Sequence, residues 1–290
     1  MTMHRLGLLG LTLLATFIAI SATQSVHAQE VKQPQVENYL DQLSSCVALI
    51  MGTSPDGKPS VGTAFFLASE KTLYLITAGH VAETLVPNSQ VTVRASGDKA
   101  RSFALSDLTG QSGILKWHRS PDADLAILIL QPRPAIGPYL QGHFAPLSLL
   151  THEEIAPPRD AVLTVLGFPL ALGVSESFSP ISRETKAASG LLTIPQTGRT
   201  TTYFLTQDPS IGGFSGAPLF DLKVPIWRPP RSMEIRGGGP QIVGVAVATI
   251  SDDTGGKLGV IVPAFYVWRI LKSLGETIPE VPPDPAGKAK

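Results

Sequence analysis

Short apolar stretches separated by turn residues dominate the chain. Val47 to Met51, Gly62 to Ala68, Thr72 to Thr77 and Val91 to Arg94 are rich in Val, Ile, Phe and Thr and read as short strands. Asp56-Gly57 marks a turn between the first two. Leu125 to Leu130 is a continuous apolar run, the pattern of a strand buried on both faces. Pro132 to Pro146 then carries four prolines together with Gly137 and Gly142, a composition that predicts neither strand nor helix and reads as a crossover between two halves. The second half repeats the first pattern at Val162 to Leu166, Gly190 to Ile194, Thr202 to Thr206, Ala217 to Phe220, Ile242 to Ile250 and Gly259 to Val262. Only Ala264 to Leu274 has helical spacing, with Val267, Ile270, Leu271 and Leu274 on one face. The tail from Ile278 holds four prolines and reads as a loose end.

The amino terminus has a different pattern. His4 and Arg5 precede an uncharged apolar run from Leu6 to Ile20, and Val26-His27-Ala28 follows a short polar stretch. This is the arrangement of a secretory signal cleaved after Ala28, so residues 1–28 are expected to be removed on export to a periplasmic or secreted location. The alternative is an uncleaved anchor, which would be the only membrane contact; the run is short for a span and lacks basic residues behind it. Residues 29–43 form a polar lead-in, and the globular region is expected to begin near Ser44 and to end by 277.

Composition narrows the picture further. The 290 residues are 43% hydrophobic and 16% charged, which is globular and ample for a core without disulfides. Cys46 is the single cysteine and reads as a buried strand residue, although Leu43-Ser44-Ser45-Cys46 also looks like a lipoprotein box. Lys plus Arg and Asp plus Glu both number 23, so nothing in the charge points to nucleic acid. His152-Glu153-Glu154 lacks the second histidine of a zinc motif and reads as surface; His118 reads as a solvated loop residue. Neither a metal nor a cofactor is expected.

Three short motifs carry candidate chemistry. Ser215 lies in Gly212-Gly213-Phe214-Ser215-Gly216-Ala217-Pro218-Leu219, where flanking glycines permit a sharp turn that exposes the hydroxyl and points backbone N–H groups inward. His80 closes Leu75-Ile76-Thr77-Ala78-Gly79-His80, and Asp124 opens Asp124-Leu125-Ala126-Ile127-Leu128. A serine, an imidazole base and an orienting carboxylate are the three groups that acyl transfer by a serine requires. All six histidines precede Ser215, which excludes an α/β-hydrolase, whose histidine must follow its serine.

These motifs resemble those of trypsin-like, chymotrypsin-fold serine proteases. The serine loop is similar to the family's Gly-Asp-Ser-Gly-Gly-Pro and to the Gly-Asn-Ser-Gly-Gly-Pro of its Deg/HtrA branch; the histidine motif is similar to Thr-Ala-Ala-His. Leu166-Gly167-Phe168-Pro169, Ser189-Gly190-Leu191, Val243-Gly244-Val245 and Gly259-Val260-Ile261-Val262-Pro263 resemble second-half segments of the Deg/HtrA protease domain. No length remains for a PDZ domain. The resemblance implies an all-β fold of two six-stranded antiparallel β barrels, about 44–131 and 147–263, with a C-terminal helix at 264–274. It implies His80, Asp124 and Ser215 as catalytic triad and the N–H groups of Gly213 and Ser215 as oxyanion hole. It places Pro209 at the base of the pocket for the residue before the scissile bond, with Val247, Ala248 and Thr249 as its wall and Gly259 opposite. Pro209 offers no charge, so small or medium aliphatic side chains are expected. Partners would be protein or peptide substrates, with no nucleic acid.

Two departures from the family stand out. Phe214 replaces the Asp that, in trypsin, pairs with the newly cut amino terminus, so that activation route is not expected. The segment from Asp221 to Gln241, with Lys223, Arg228, Arg231 and Arg236, is longer than usual and reads as a solvated loop or a partner-binding one. The rival function is a binding protein that keeps the protease fold with little or no turnover.

Overall fold

Strands dominate the residues that the computed structural model describes, which are 39–53, 57–110, 115–196, 199–223, 226–228, 232–234 and 239–278. The expected signal at 1–28, the lead-in up to 38 and the tail from 279 lie outside them. In the first half, α1 (Tyr39–Ser44) leads into β1 (Val47–Thr53), β2 (Pro59–Ala68), β3 (Leu73–Thr77), α2 (Gly79–Glu83), β4 (Gln90–Ala95), β5 (Lys99–Ala104), α3 (Leu105–Thr109), β6 (His118–Arg119), β7 (Ala126–Leu130), α4 (Gly137–Leu140) and β8 (Ala145–Pro146). Strands β5-β4-β1-β2-β3-β7-β6 lie side by side and antiparallel, and β8 adds in parallel to β2. The second half contains β9 (Leu163–Gly167), β10 (Ile181–Thr185), β11 (Leu192–Gln196), β12 (Arg199–Thr206), β13 (Pro218–Asp221), the hairpin β14 (Ile226–Arg228) and β15 (Ser232–Glu234), then β16 (Gln241–Ser251), β17 (Lys257–Pro263) and α5 (Phe265–Ser273). Its main sheet runs β10-β9-β13-β16-β17-β12-β11.

The architecture is therefore two antiparallel sheets and a short C-terminal helix, as the family resemblance implied. The sheets hold eight and seven strands rather than six each, because two-residue pieces such as β6 and β8 join the first. Central strands bury consecutive residues: Val47 to Ile50 in β1 and Leu163 to Gly167 in β9 are all buried. This is why they read as unbroken apolar runs. Helix α5 turns Phe265, Val267, Trp268, Ile270 and Leu271 into the core. Trp268 Nε1 donates to Leu150 O at 3.0 Å, and Arg269 stacks on Phe265 and Tyr266 while pairing with Glu154 at 2.8 Å. Its end is a Schellman cap: Gly275, at φ 92°, donates to Lys272 O, and Glu276 donates to Leu271 O. Among the described residues no helix is long and apolar enough to cross a membrane.

Several sequence expectations need correction. The proline run is not free of regular structure: α4 starts with Pro138 in its first turn, where proline's fixed φ suits a helix and its missing N–H costs nothing, and Ala145–Pro146 bridges β2. His118 is not in a solvated loop but in β6, half-buried and paired with Ile127. The polar lead-in already carries helix α1, which buries Leu43. Part of the long 221–241 segment is a hairpin rather than a loop, with Trp227 opposite Met233. Cys46 is buried, but it sits in the turn before β1. Burial pushes its thiol pKa up to about 11, so it is inert at neutral pH.

Candidate active site

The candidate base, His80, is carried by the junction of β3 and α2. Strand β3 ends at Thr77, extended Ala78 starts the short helix, and His80 lies in its first turn with nearly half of its side chain exposed. Asp124 lies two residues before the start of β7 and grips that turn twice. Its Oδ1 accepts the His80 backbone N–H at 2.8 Å, and its Oδ2 accepts from His80 Nδ1 at 2.6 Å. The approach is close: a Cβ on Gly79 would lie 2.7 Å from Asp124 Oδ1. With Nδ1 holding the proton, Nε2 carries the free lone pair. The hydrogen bond to Asp124 raises the His80 pKa above its ordinary value, helped by the negative charges of Asp124 and Glu83 and opposed by burial.

The candidate nucleophile, Ser215, lies in the turn that leads into β13. Phe214 N–H donates to Ile211 O at 2.9 Å, and Gly213 sits at φ 99°, a conformation that glycine alone adopts without strain. Gly216, at φ 90°, lies against β2 and β3, where any Cβ would collide with Thr63 O and Thr77 Oγ1. The Phe214 side chain is 1% exposed and packs into a core cluster with Ala217, Leu219, Ala246 and Ile261. An apolar anchor thus fills the place where trypsin has Asp.

Peptide planes fix the direction of the two candidate oxyanion donors. Gly212 C=O accepts Leu170 N–H at 2.7 Å, so the Gly213 N–H on the same plane points the opposite way. Phe214 C=O accepts Ala217 N–H at 2.8 Å, which orients the Ser215 N–H similarly. Neither N–H donates to a protein carbonyl among the described residues. Ser215 Oγ donates to Val247 O at 3.3 Å, and no hydrogen bond joins it to His80 among the described residues.

The sequence-derived pocket residues divide. Pro209 and Gly259 line a cavity of about 20 Å³, together with Asp208, Ser210, Arg183 and Phe214. Val247, Ala248 and Thr249 are on β16 beside it, and Thr249 pairs with Gly259 of β17. Thr249 Oγ1 donates to Ser210 O at 2.9 Å, tying the two walls together. Asp208, one residue from the pocket base, is held by Arg183 at 3.2 Å, while Arg183 Nη1 donates to Pro209 O. The sequence gives no signal for Arg183, in the exposed strand β10, or for Thr63, a buried hydroxyl in a largely apolar strand.

Residues 62–224 match the family model described as trypsin-like peptidase domain, a span that contains His80, Asp124 and Ser215 and exceeds half of the chain. The chain belongs to this family. It is a trypsin-like serine protease by family and by fold. Among solved structures, an inactive serine-to-alanine mutant of Rv3671c from M. tuberculosis H37Rv is similar at 21% identity and a TM-score of 0.51, covering 86% of this chain and 96% of that one. The protease domain of MamO from Magnetospirillum magneticum, in its apo form, is 15% identical with a TM-score of 0.48, covering 82% and 100%. No curated protein matches the sequence. The first of these likenesses shows the two-sheet fold that the trypsin-like peptidase domain requires, and substrates of such a domain are proteins or peptides.

Proposed function

We propose that this trypsin-like peptidase domain is an exported serine endopeptidase working through an acyl-enzyme. The observation that carries the reading is the doubly bonded His80–Asp124 pair, and it is supported by a glycine-turned Ser215 loop whose Gly213 and Ser215 N–H groups donate to no protein carbonyl among the described residues. His80 Nε2 takes the Ser215 proton as Oγ attacks the scissile carbonyl. Asp124 holds the tautomer and stabilises the imidazolium. The N–H groups of Gly213 and Ser215 receive the oxyanion. His80 then hands the proton to the leaving amine, and water repeats the sequence on the ester.

The pocket supports small or medium uncharged side chains, such as Ala, Val or Leu, before the scissile bond. Pro209 carries no charge, and Arg183 already engages Asp208, the one carboxylate that lines the cavity among the described residues. A peptide-library cleavage profile dominated by Lys or Arg would overturn this.

One observation favours a second reading, a binding protein of low turnover: Ser215 Oγ bonds Val247 O and not His80. Catalytic hydrogen bonds commonly tighten only with substrate bound. A fluorophosphonate separates the readings. Stoichiometric labelling of the wild type, lost in Ser215→Ala along with peptidase activity while the fold persists, is the expected result; an unlabelled wild type supports the binding protein.

A further inference from the structure

Thr63 lies in β2 of the first sheet, is completely buried, and has no part in the chemistry outlined above. Its side chain nevertheless reaches across to the second half. Thr63 Oγ1 donates to Gly213 O at 2.7 Å and accepts Phe168 N–H at 3.0 Å. Its backbone N–H donates to Ser215 O at 2.8 Å, and its carbonyl accepts Thr77 Oγ1, also at 2.8 Å. One residue thus touches three segments: the turn that presents the oxyanion donors, the turn that begins at Phe168, and the strand that ends three residues before His80.

The Phe168 contact matters because the turn it anchors reaches the oxyanion donors. Leu170 N–H holds Gly212 C=O and so aims the Gly213 N–H. Leu170 and Ala171 both adopt the left-handed region, at φ 54° and 56°, without being glycine. Such conformations persist only where surrounding bonds impose them. Leu170 is 69% exposed, so packing of its side chain does not impose it. The bonds that remain are Leu170 N–H to Gly212 O, Ala171 N–H to Phe168 O and Leu172 N–H to Pro169 O, together with the Phe168 N–H bond to Thr63 Oγ1, which is the one that ties the turn to the other sheet.

We infer that Thr63 is a positioning residue of the active site: its hydroxyl holds the oxyanion turn and the supporting 168–171 turn in register with the His80-bearing sheet. The inference rests on the serine-protease reading above. Removing the hydroxyl leaves Gly213 O and Phe168 N–H unpaired inside the protein, and the turn relaxes away from the geometry that receives the oxyanion. Substrate binding away from the oxyanion is not touched, so the loss belongs to kcat rather than KM.

The test uses Thr63→Val, which keeps the shape and removes the hydroxyl, and Thr63→Ser, which keeps the hydroxyl. Active sites are counted by end-point fluorophosphonate uptake, and p-nitrophenyl acetate hydrolysis is measured per labelled site. Thr63→Val is expected to lower kcat per site by about 10- to 100-fold with KM within about twofold, and Thr63→Ser to stay within about threefold of wild type. A merely structural threonine would lower the melting temperature and the number of sites while leaving kcat per site intact. If Thr63→Val does not fold, Gly167→Ala carries the test, because the added Cβ would stand 2.5 Å from Thr63 Oγ1 and displace it without deleting it. Gly167→Ala is then expected to show the same kcat loss. Wild-type kcat per site in Thr63→Val, or in Gly167→Ala where the former does not fold, overturns the inference alone. A wild type that takes up no fluorophosphonate overturns the protease reading with it.

Discussion

His80 and Asp124 tie activity and stability to pH in opposite senses. The carboxylate raises the imidazole pKa above about 6.5. A base must be neutral to accept a proton, so kcat/KM should rise with pH through that raised value. Stability runs the other way. A folded-state pKa above the unfolded one means that the charged pair contributes fully below the unfolded pKa, and that this contribution fades as pH rises through the folded value. Asp124→Asn removes the cause of the shift. It should lower kcat by about 10³- to 10⁴-fold, move the acid limb of kcat/KM to lower pH, and flatten this part of the stability profile. Finding the acid limb unmoved in Asp124→Asn would mean that Asp124 does not set the His80 pKa. Residues of this kind were legible because reactive groups sit in short contiguous motifs. Thr63 was not, since its hydroxyl partners Phe168 and Gly213 lie 105 and 150 positions away and a threonine in an apolar strand carries no local signal.

Among the elements, legibility followed position in the sheet. Central strands such as β1, β3 and β7 are buried along most of their length and show as apolar runs. Strands β5 and β10, at the ends of the two sheets, are mostly exposed: Phe103 alone is buried in one and Thr185 in the other. Their sequences, Lys-Ala-Arg-Ser-Phe-Ala and Ile-Ser-Arg-Glu-Thr, have neither alternation nor an apolar run to mark them, and charge on an edge strand discourages pairing with other chains. The exposed strand β10 also supplies Arg183, so the ion pair that Arg183 makes with Asp208 at the cavity was hidden for the same reason. Between β16 and the 208–210 segment, the Thr249–Ser210 bond links the proposed pocket wall to Ser210, which lines the cavity. Thr249→Gly deletes the branched side chain and the tie together. It should shift the cleavage profile from Ala and Val toward Leu and Phe, raising the Phe-to-Ala ratio of kcat/KM by at least about tenfold. An unchanged ratio would mean that Thr249 is not at the mouth of the pocket.

At the scale of the whole molecule, the question is what holds the oxyanion turn in place. In trypsin a freshly cut amino terminus does so, by pairing with the Asp before the nucleophile. Here Phe214 occupies that position and is buried among Ala217, Leu219, Ala246 and Ile261, a setting in which an ammonium group would lose its hydration and gain no partner. The turn is instead held from inside the fold, by Thr63 on Gly213 O, Leu170 on Gly212 O and Ala217 on Phe214 O. Each of these donors lies inside the described residues, far from the amino terminus, so none waits for a cut to be made. The chain starting at Gln29, where the expected signal ends, should therefore react with a fluorophosphonate as made. Intact-mass spectrometry checks this directly: the expected species is the full 29–290 chain carrying one phosphonyl adduct, formed at a rate that does not change during incubation. A lag, with adduct appearing only on species shortened at the amino terminus, would show that the turn needs a processing event and that its internal bonds do not suffice.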